Sequence, residues 1–317
     1  DPAIRSAASI MTMEAMASGT IGDHDRQINL YERLTRKSPD NPSLWNSLGN
    51  ALKTVGRIDE AVSAVRRAIE VRPTYGAGYW SLANFKSFKF ASSDIELMTR
   101  ALAKKPDADD ARHLHFALGK AYEDQKEFEA SFRHYAAGNA IRASEGGRGS
   151  KPVTGFVNRA IEVLTPELFA RNASFGCQDE GPIFVVGMHR SGSTLIEQIL
   201  ASHPLVEGTT ELATMNLIRH RLRREAKARG KDYWQAFTEL KAADFQQVGD
   251  EYLARTAPFR RTDRPYFVDK MPGNWLNLAL IRFSLPKAII IDARRHPLAC
   301  GFSNFKQNYA SGVTYSS

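Results

Sequence analysis

The sequence predicts a two-part chain, an all-α helical repeat array followed by a three-layer α/β domain with a mostly parallel sheet. Three observations predict it. Prolines recur at Pro39, Pro73 and Pro106, 34 and 33 residues apart, each behind a helical pattern. The apolar run Pro182-Ile183-Phe184-Val185-Val186 passes through a glycine-flanked loop into the helical pattern Leu195, Ile196, Ile199, Leu200. Two more short apolar runs, Tyr266 to Asp269, a strand candidate, and Lys287 to Ala293, which reads as another buried strand, each end at basic residues. Strands that alternate with helices, and stop at loops of this kind, build open α/β sheets.

Composition fits a folded chain. The 317 residues suit two domains of roughly 100–200 residues each. Hydrophobic residues make up 43% and charged residues 25%, which argues against disorder. No apolar run approaches the ~18 residues of a membrane span. The start, Asp1-Pro2-Ala3, lacks a basic region followed by an apolar core, so no signal peptide is expected. Cys177 and Cys300 stand alone and far apart, which suits a reducing cytoplasm rather than a disulfide framework. The formal charge of +8 points to an anionic partner, either nucleic acid or a phosphorylated small molecule.

Between the first two prolines lies the clearest unit: Trp45-x-x-Leu48-Gly49-x-x-Leu52, then Asp59-Glu60-Ala61, Ala68 and Pro73. A weaker unit has Tyr79, Leu82, Ala83, Ala101 and Pro106, and another has Leu118-Gly119-x-x-Tyr122, Glu129-Ala130 and Tyr135. Tyr31 and Leu34 mark a partial first unit. This pattern resembles the tetratricopeptide repeat, a helix–turn–helix of about 34 residues, of which three or more stack into a core. Gly49 and Ala61 are then the small residues at the helix crossing, and each proline stops a second helix. These apolar positions pack the core. The exposed concave face of such an array can bind a peptide or mediate self-association.

Residues 144–152 are rich in Gly and Ser and read as a linker; 153–173 read as one helix, and 172–181 as a second turn-rich stretch. The expected domains are residues 1–145 for the repeats, 146–180 for the linker and connecting helix, and 181–317 for the α/β domain.

The loop Gly187-Met188-His189-Arg190-Ser191-Gly192-Ser193-Thr194 joins strand to helix, an architecture that cradles phosphate on loop N–H groups and a positive helix N-terminus. Its spacing is P-loop-like, with Ser193 where a nucleotide P-loop has lysine. That lysine works beside Mg²⁺, so a metal-dependent triphosphate hydrolase is not expected. Arg190 supplies the cation instead, and Ser191, Ser193 and Thr194 supply hydroxyls.

From Phe184 to Leu195 the segment resembles the 5′-phosphosulfate loop of sulfotransferases that use 3′-phosphoadenosine-5′-phosphosulfate (PAPS). It is most similar to their tyrosylprotein and bacterial repeat-linked branches. Those read Pro-Arg-Ser-Gly-Thr-Thr; here His189 replaces the proline and Ser193 the first threonine. The resemblance implies that Arg190, Ser191, Gly192, Ser193 and Thr194 hold the 5′-phosphosulfate. Arg295 and Ser303, eight residues apart after the Lys287–Ala293 run, resemble the family's 3′-phosphate site. Arginine can fork onto phosphate with two hydrogen bonds, and Arg294 could take its place. A helix is expected from Leu298 to Tyr309. Lys270, before Met271-Pro272, resembles the lysine that meets the transferring sulfuryl oxygens, with Asp269 structural or its local partner.

The resemblance places the acceptor-activating carboxylate after His203-Pro204, where Leu205-Val206 reads as a short strand. Glu211 is the first candidate. Glu207 is the second, His189 and His203 are further options, and an acid that merely opens a helix is the plain alternative. Arg190, Lys270 and Glu211 thus form the expected catalytic set. Residues 219–231 are strongly basic. They read first as the solvated face of an amphipathic helix with Ile218 and Leu222 inward, then as a rim that steers an acidic acceptor, and last as a nucleic-acid surface.

The expected reaction is sulfuryl transfer from PAPS to a hydroxyl acceptor (a protein tyrosine, a sugar or a small phenol), leaving 3′,5′-bisphosphoadenosine. No metal and no membrane are expected, nucleic acid is a weak prospect, and the expected location is cytoplasmic. Because family members continue beyond the 3′-phosphate element, the α/β domain is expected to be C-terminally incomplete. The alternative is a repeat-domain scaffold whose sulfotransferase-like half binds a nucleotide or is inactive.

Overall fold

The computed structural model describes residues 2–145 and 151–309, so residues 146–150 of the expected linker lie outside the described residues. The chain divides into two compact units. One gathers Asp1–Gly147 with Phe305–Ser317, and the other is Arg148–Asn304.

Among the described residues of the first unit, 2–145 are built of helices and short turns. Three helical pairs pack directly, α1 (Pro2–Thr20) with α2 (His24–Lys37), α3 (Pro42–Thr54) with α4 (Ile58–Val71), and α7 (Ala108–Asp124) with α8 (Phe128–Ser144), while α5 (Gly76–Ala83) and α6 (Ser92–Ala103) each pack against α7 rather than on one another. Starts are set locally. Asn41 accepts from the Ser43 N–H at 3.0 Å and Asp107 from the Asp110 N–H at 2.8 Å, each satisfying a donor that the first helical turn leaves open. Pro39, Pro73 and Pro106 lie just past the ends of α2, α4 and α6, where a proline forbids further helix. Between α3 and α4 the chains approach so closely that a Cβ on Gly49 would lie 2.4 Å from Val65 Cγ2. Gly119 has the same relation to the Tyr135 ring, at 2.7 Å. The core joins Leu34, Leu48, Leu52, Val65, Tyr79 and Leu82, all buried. The partial first unit expected from Tyr31 and Leu34 is a full helical pair.

The second unit is an α/β domain. Its sheet holds β1 (Pro182–Gly187), β2 (Val206–Gly208), β3 (Tyr266–Asp269) and β4 (Ile289–Ala293) in the spatial order β2-β3-β1-β4, and every pairing is parallel. The connecting helices are α9 (Lys151–Val163) and α10 (Pro166–Arg171) before β1, α11 (Ser193–Ala201), then α12 (Thr214–Ala228), α13 (Tyr233–Glu239) and α14 (Ala242–Thr256). They are followed by α15 (Leu278–Ser284) and α16 (Pro297–Phe305). Strand periodicity sorts β1 onto two faces. Phe184 and Val186 join one core with Phe245, Tyr252, Phe267 and Leu280, while Ile183 and Val185 join another with Val268, Ala293 and the α11 residues Ile196 and Leu200. Helices therefore cover both faces, and all six residues of β1 are buried.

Three local expectations are corrected. Residues 153–173 form two helices rather than one, because Pro166 removes a helical donor and Thr165 starts α10 by accepting from the Leu168 N–H at 3.3 Å. The β4 run is not buried; Ile289 is 48% exposed, since β4 pairs only with β1 among the described strands. The helix expected to reach Tyr309 ends at Phe305. The basic segment behaves as an amphipathic helix within α12. Ile218 and Ala226 are buried and Leu222 half-buried, and His220, Arg223, Arg224 and Lys227 face solvent. Among the described residues no helix is long and apolar enough to cross a membrane.

Candidate active site

In a parallel sheet all strand carboxyl ends lie along one edge, where ligands of open α/β folds bind. The sequence-predicted residues follow that edge. Glu211 comes three residues after β2 ends, Lys270 leaves β3, the loop 187–193 leaves β1, and Arg294-Arg295 leave β4. The strand order therefore sets the lateral sequence Glu211, Lys270, loop, Arg295.

The loop is held in backbone states that only some residues adopt. Gly187 has φ +144° and packs against β4, where a Cβ would meet the Ala293 carbonyl oxygen at 2.6 Å. Gly192 opens α11 in the left-handed region at φ +97°. Arg190 is left-handed too, at φ +68°, an uncommon state for a residue with a side chain, of the kind that clusters at binding sites. The Ser191 and Ser193 side chains are buried and Thr194 is exposed. The Ser191 Oγ finds no hydrogen-bond partner among the described residues. A buried hydroxyl without a partner costs about 1–3 kcal/mol, so this loop gains from an anion that accepts its proton.

The loop is tied to the far end of the sheet. Arg190 Nε donates to Ser303 Oγ at 3.1 Å, and Arg295 Nη1 donates to the Arg190 carbonyl at 3.3 Å. The His189 carbonyl accepts from Asn304 Nδ2 at 2.9 Å and from the Cys300 thiol at 3.3 Å. Arg190, Arg295 and Ser303 thus meet. Arg294 instead pairs with Asp292 at 2.5 Å on the exposed side of β4.

On the other flank, Lys270 is 8% exposed, and its Nζ lies 2.6 Å from Glu211 Oε1 and 3.8 Å from Glu197 Oε2. Glu211 stands ahead of α12 rather than within its first turn. Asp269 is not Lys270's partner. It is fully buried, accepts from Tyr252 Oη at 2.9 Å and Asn274 Nδ2 at 3.3 Å, and its carboxyl is pushed up to about 7 by burial, against the pull of those two donors and the Leu212 backbone. Glu207 is buried and turned elsewhere, accepting the N–H groups of Arg261 and Thr262 with the Arg260 guanidinium 3.7 Å away. His203 Nδ1 accepts the Leu205 N–H at 3.2 Å, closing a turn. His189 is half-buried; burial lowers its pKa, Glu211 raises it and Lys270 lowers it.

Glu197, Cys300 and Asn304 were not anticipated. Glu197 carried a signal: it follows Ser193 and Thr194 by four and three residues, which places it on their face of α11. The contacts of Cys300 and Asn304 cross 111 and 115 residues of chain, and no local pattern announces them.

Comparison with known proteins finds similarity in both parts of the chain. The tetratricopeptide repeat model matches residues 42–75 and the sulfotransferase family model matches residues 182–317. An uncharacterized protein of Aquifex aeolicus is 27% identical over 288 residues, 89% of this chain, and the chain spans 37% of that protein's length. The peroxisomal targeting signal receptor of Saccharomyces cerevisiae is 32% identical over 77 residues, 23% of this chain and 13% of the receptor. The solved structure of MamA MSR-1 C2 aligns with 44% of this chain and 79% of its own at 22% identity, with a TM-score of 0.31. The chain carries a sulfotransferase family domain over residues 182–317, behind a tetratricopeptide-repeat segment.

Proposed function

We propose that the α/β domain transfers a sulfuryl group from PAPS to a hydroxyl acceptor, with domains at residues 1–145 and 181–317 and the segment 146–180 between them. The observation that carries this reading is the order of groups along the sheet edge: a carboxylate, a nearly buried lysine, an anion loop and a second arginine. That is the order in which acceptor hydroxyl, sulfuryl group, 5′-phosphate and 3′-phosphate lie in such a transfer. The orphan Ser191 hydroxyl supports an anionic occupant of the loop.

PAPS supplies an activated sulfuryl group on a phosphate leaving group. The loop N–H groups, Arg190, Ser191, Gly192, Ser193 and Thr194 bind its 5′ end, and Arg295 with Ser303 binds the 3′-phosphate. Lys270 offsets charge that builds on the sulfuryl oxygens. Glu211 takes the acceptor's proton as its oxygen bonds to sulfur. The bond from sulfur to the bridging oxygen breaks, and that oxygen keeps the electron pair and leaves on 3′,5′-bisphosphoadenosine. The acceptor class, whether protein tyrosine, sugar or small phenol, fits a half-exposed Glu211, which larger and smaller hydroxyls can both reach. The repeat segment offers a surface for a peptide or a second subunit.

Calorimetric and thermal measurements with 3′,5′-bisphosphoadenosine and 5′-AMP test the site. The bisphosphate at 100 times its dissociation constant should add about 2.7 kcal/mol of stability, with little from AMP. Sulfate-labelled PAPS incubated with phenols, sugars and tyrosine peptides should then label one class. Equal binding of both nucleotides removes the 3′-phosphate assignment, and binding of neither, without transfer, overturns the reading.

A further inference from the structure

Two carboxylates flank the Lys270 ammonium, and they differ in setting. Glu211, 2.6 Å away, has a side chain 50% exposed; Glu197, 3.8 Å away on α11, has one 13% exposed. Burial raises the pKa of Glu197, Lys270 draws it down, and Glu211 pushes it up. The other groups here are His189 from the loop, lowered by burial, raised by Glu211 and lowered by Lys270, and Asp269 from β3, committed to Tyr252 and Asn274 and pushed up by burial first and by Glu197 after it.

A carboxylate that accepts a close hydrogen bond from an ammonium is a weakened base, because the positive charge favours its ionised form. Glu211 Oε1 is open to the acceptor's proton only when Lys270, which donates to it at 2.6 Å, turns toward the donor's anionic oxygens. The ammonium, nearly buried, then needs a counter-charge that does not leave with solvent or acceptor. Glu197 meets that need. It projects from the helix whose N-terminus forms the loop, so it ties the lysine to the same rigid element as the anion site.

We propose that Glu197 is a positioning residue for Lys270, an inference that rests on the transfer reaction above: it keeps the ammonium at the exit of β3 when Glu211 releases it to take the acceptor's proton. Glu197 itself touches neither donor nor acceptor.

The test uses the full chain with Glu197→Gln, nearly the same shape without the charge, Glu197→Ala as a second variant that removes the charge, and Glu197→Asp as partial rescue. Lysines are reductively ¹³C-methylated, the Lys270 signal is assigned by its loss in Lys270→Arg, and the mobility of the Lys270 head group is read from its methyl relaxation. In Glu197→Gln the Lys270 methyl order should fall, because the ammonium has lost its buried counter-charge, and Glu197→Asp should recover part of that order. In the transfer assay with unmethylated protein, kcat should fall about tenfold with KM for PAPS within a factor of two. Unchanged Lys270 order in folded Glu197→Gln overturns the proposal, whether or not the protein transfers sulfate. Lost order with unchanged kcat overturns it as well, since the pair is then structural only. Absence of transfer in the unaltered protein counts against the reaction, while the Lys270 relaxation still judges the pairing. Should Glu197→Gln fail to fold, Glu197→Ala carries the same readings.

Discussion

A side chain contributes to binding or to chemistry according to what it touches, and the two flanks of the sheet edge separate these roles. Arg190 and Arg295 meet each other and Ser303, remote from any carboxylate partner in the described contacts. Glu211 meets only Lys270 among the hydrogen bonds described. Arg190→Ala and Arg295→Ala should each weaken 3′,5′-bisphosphoadenosine binding about 10- to 150-fold, the equivalent of a charge-assisted hydrogen bond of about 1.5–3 kcal/mol. Glu211→Gln should leave that binding intact and lower turnover by about two to four orders of magnitude, because shape is kept and the base is lost. Calorimetry with the bisphosphate beside a transfer assay reads both. Normal turnover in Glu211→Gln removes Glu211 as the base. Since Glu207 is committed to the 260–262 backbone, His189 is then the residue to test.

At the scale of helices and strands, close approach explains where small residues stand. Gly49 sits inside α3, where alanine would improve helix propensity by about 1 kcal/mol. The added Cβ would also press on Val65 Cγ2 at 2.4 Å and on the Ala61 carbonyl oxygen at 2.9 Å. Val65 is fully buried and Ala61 presents backbone, so neither yields easily. Overpacking of this kind costs about 1–3 kcal/mol and outweighs the propensity gain. Gly49→Ala should therefore lower the melting temperature of the repeat unit by several degrees, as measured by calorimetry; a rise would mean that α3 and α4 separate without cost. In the other unit, β1 is buried on both faces and β4 only partly, which follows from their places in the sheet rather than from their similar sequences.

For the whole molecule, buried groups of the two units, a histidine pair in one and Asp269 in the other, should answer acid in opposite directions. His115 and His134 in the repeat unit share one hydrogen bond between their Nδ1 atoms at 3.0 Å, which needs one ring to donate and the other to accept. Burial lowers both pKa values, that of His134 to about 4 with help from His115 and Arg133. A histidine whose folded pKa lies below its unfolded value of about 6.5 contributes stability that is present above that value and lost as pH falls toward 4. Asp269 behaves in reverse. Its folded pKa of about 7 exceeds the unfolded 3.8, so its contribution is full below 3.8 and is lost as pH rises through 7. On acidification from pH 7 to 5, the calorimetric transition of the repeat unit should fall by an amount on the order of 1 kcal/mol, discounted for partial exposure of the rings. His134→Gln should flatten that loss. Over the same range the α/β transition of the unaltered protein should gain on that of Asp269→Asn, while the lowered His189 and His220 act the other way in both proteins. A difference between the two proteins that does not change with pH would contradict the Asp269 assignment.

Sequence by itself determined what depends on neighbours within a few turns. The proline spacing and Gly49 identified the repeats, because a helical pair is a local unit that ends where a donor is missing. Residues 182–200 announced a strand, an anion loop and a helix, because apolar run, glycine and helical period each act over short range. The partners of the site residues were decided only in three dimensions. Arg295 rather than Arg294 reaches the loop because β4 pairs with β1 in one register. Glu211 rather than Glu207 meets Lys270 because Glu207, within β2, is claimed by the 260–262 segment, whereas Glu211 lies in the loop beyond the end of that strand. Asn304 and Cys300 entered the site through contacts between segments far apart in sequence, where no local pattern records them, and Glu197, whose helical face was legible, found its lysine in the same way.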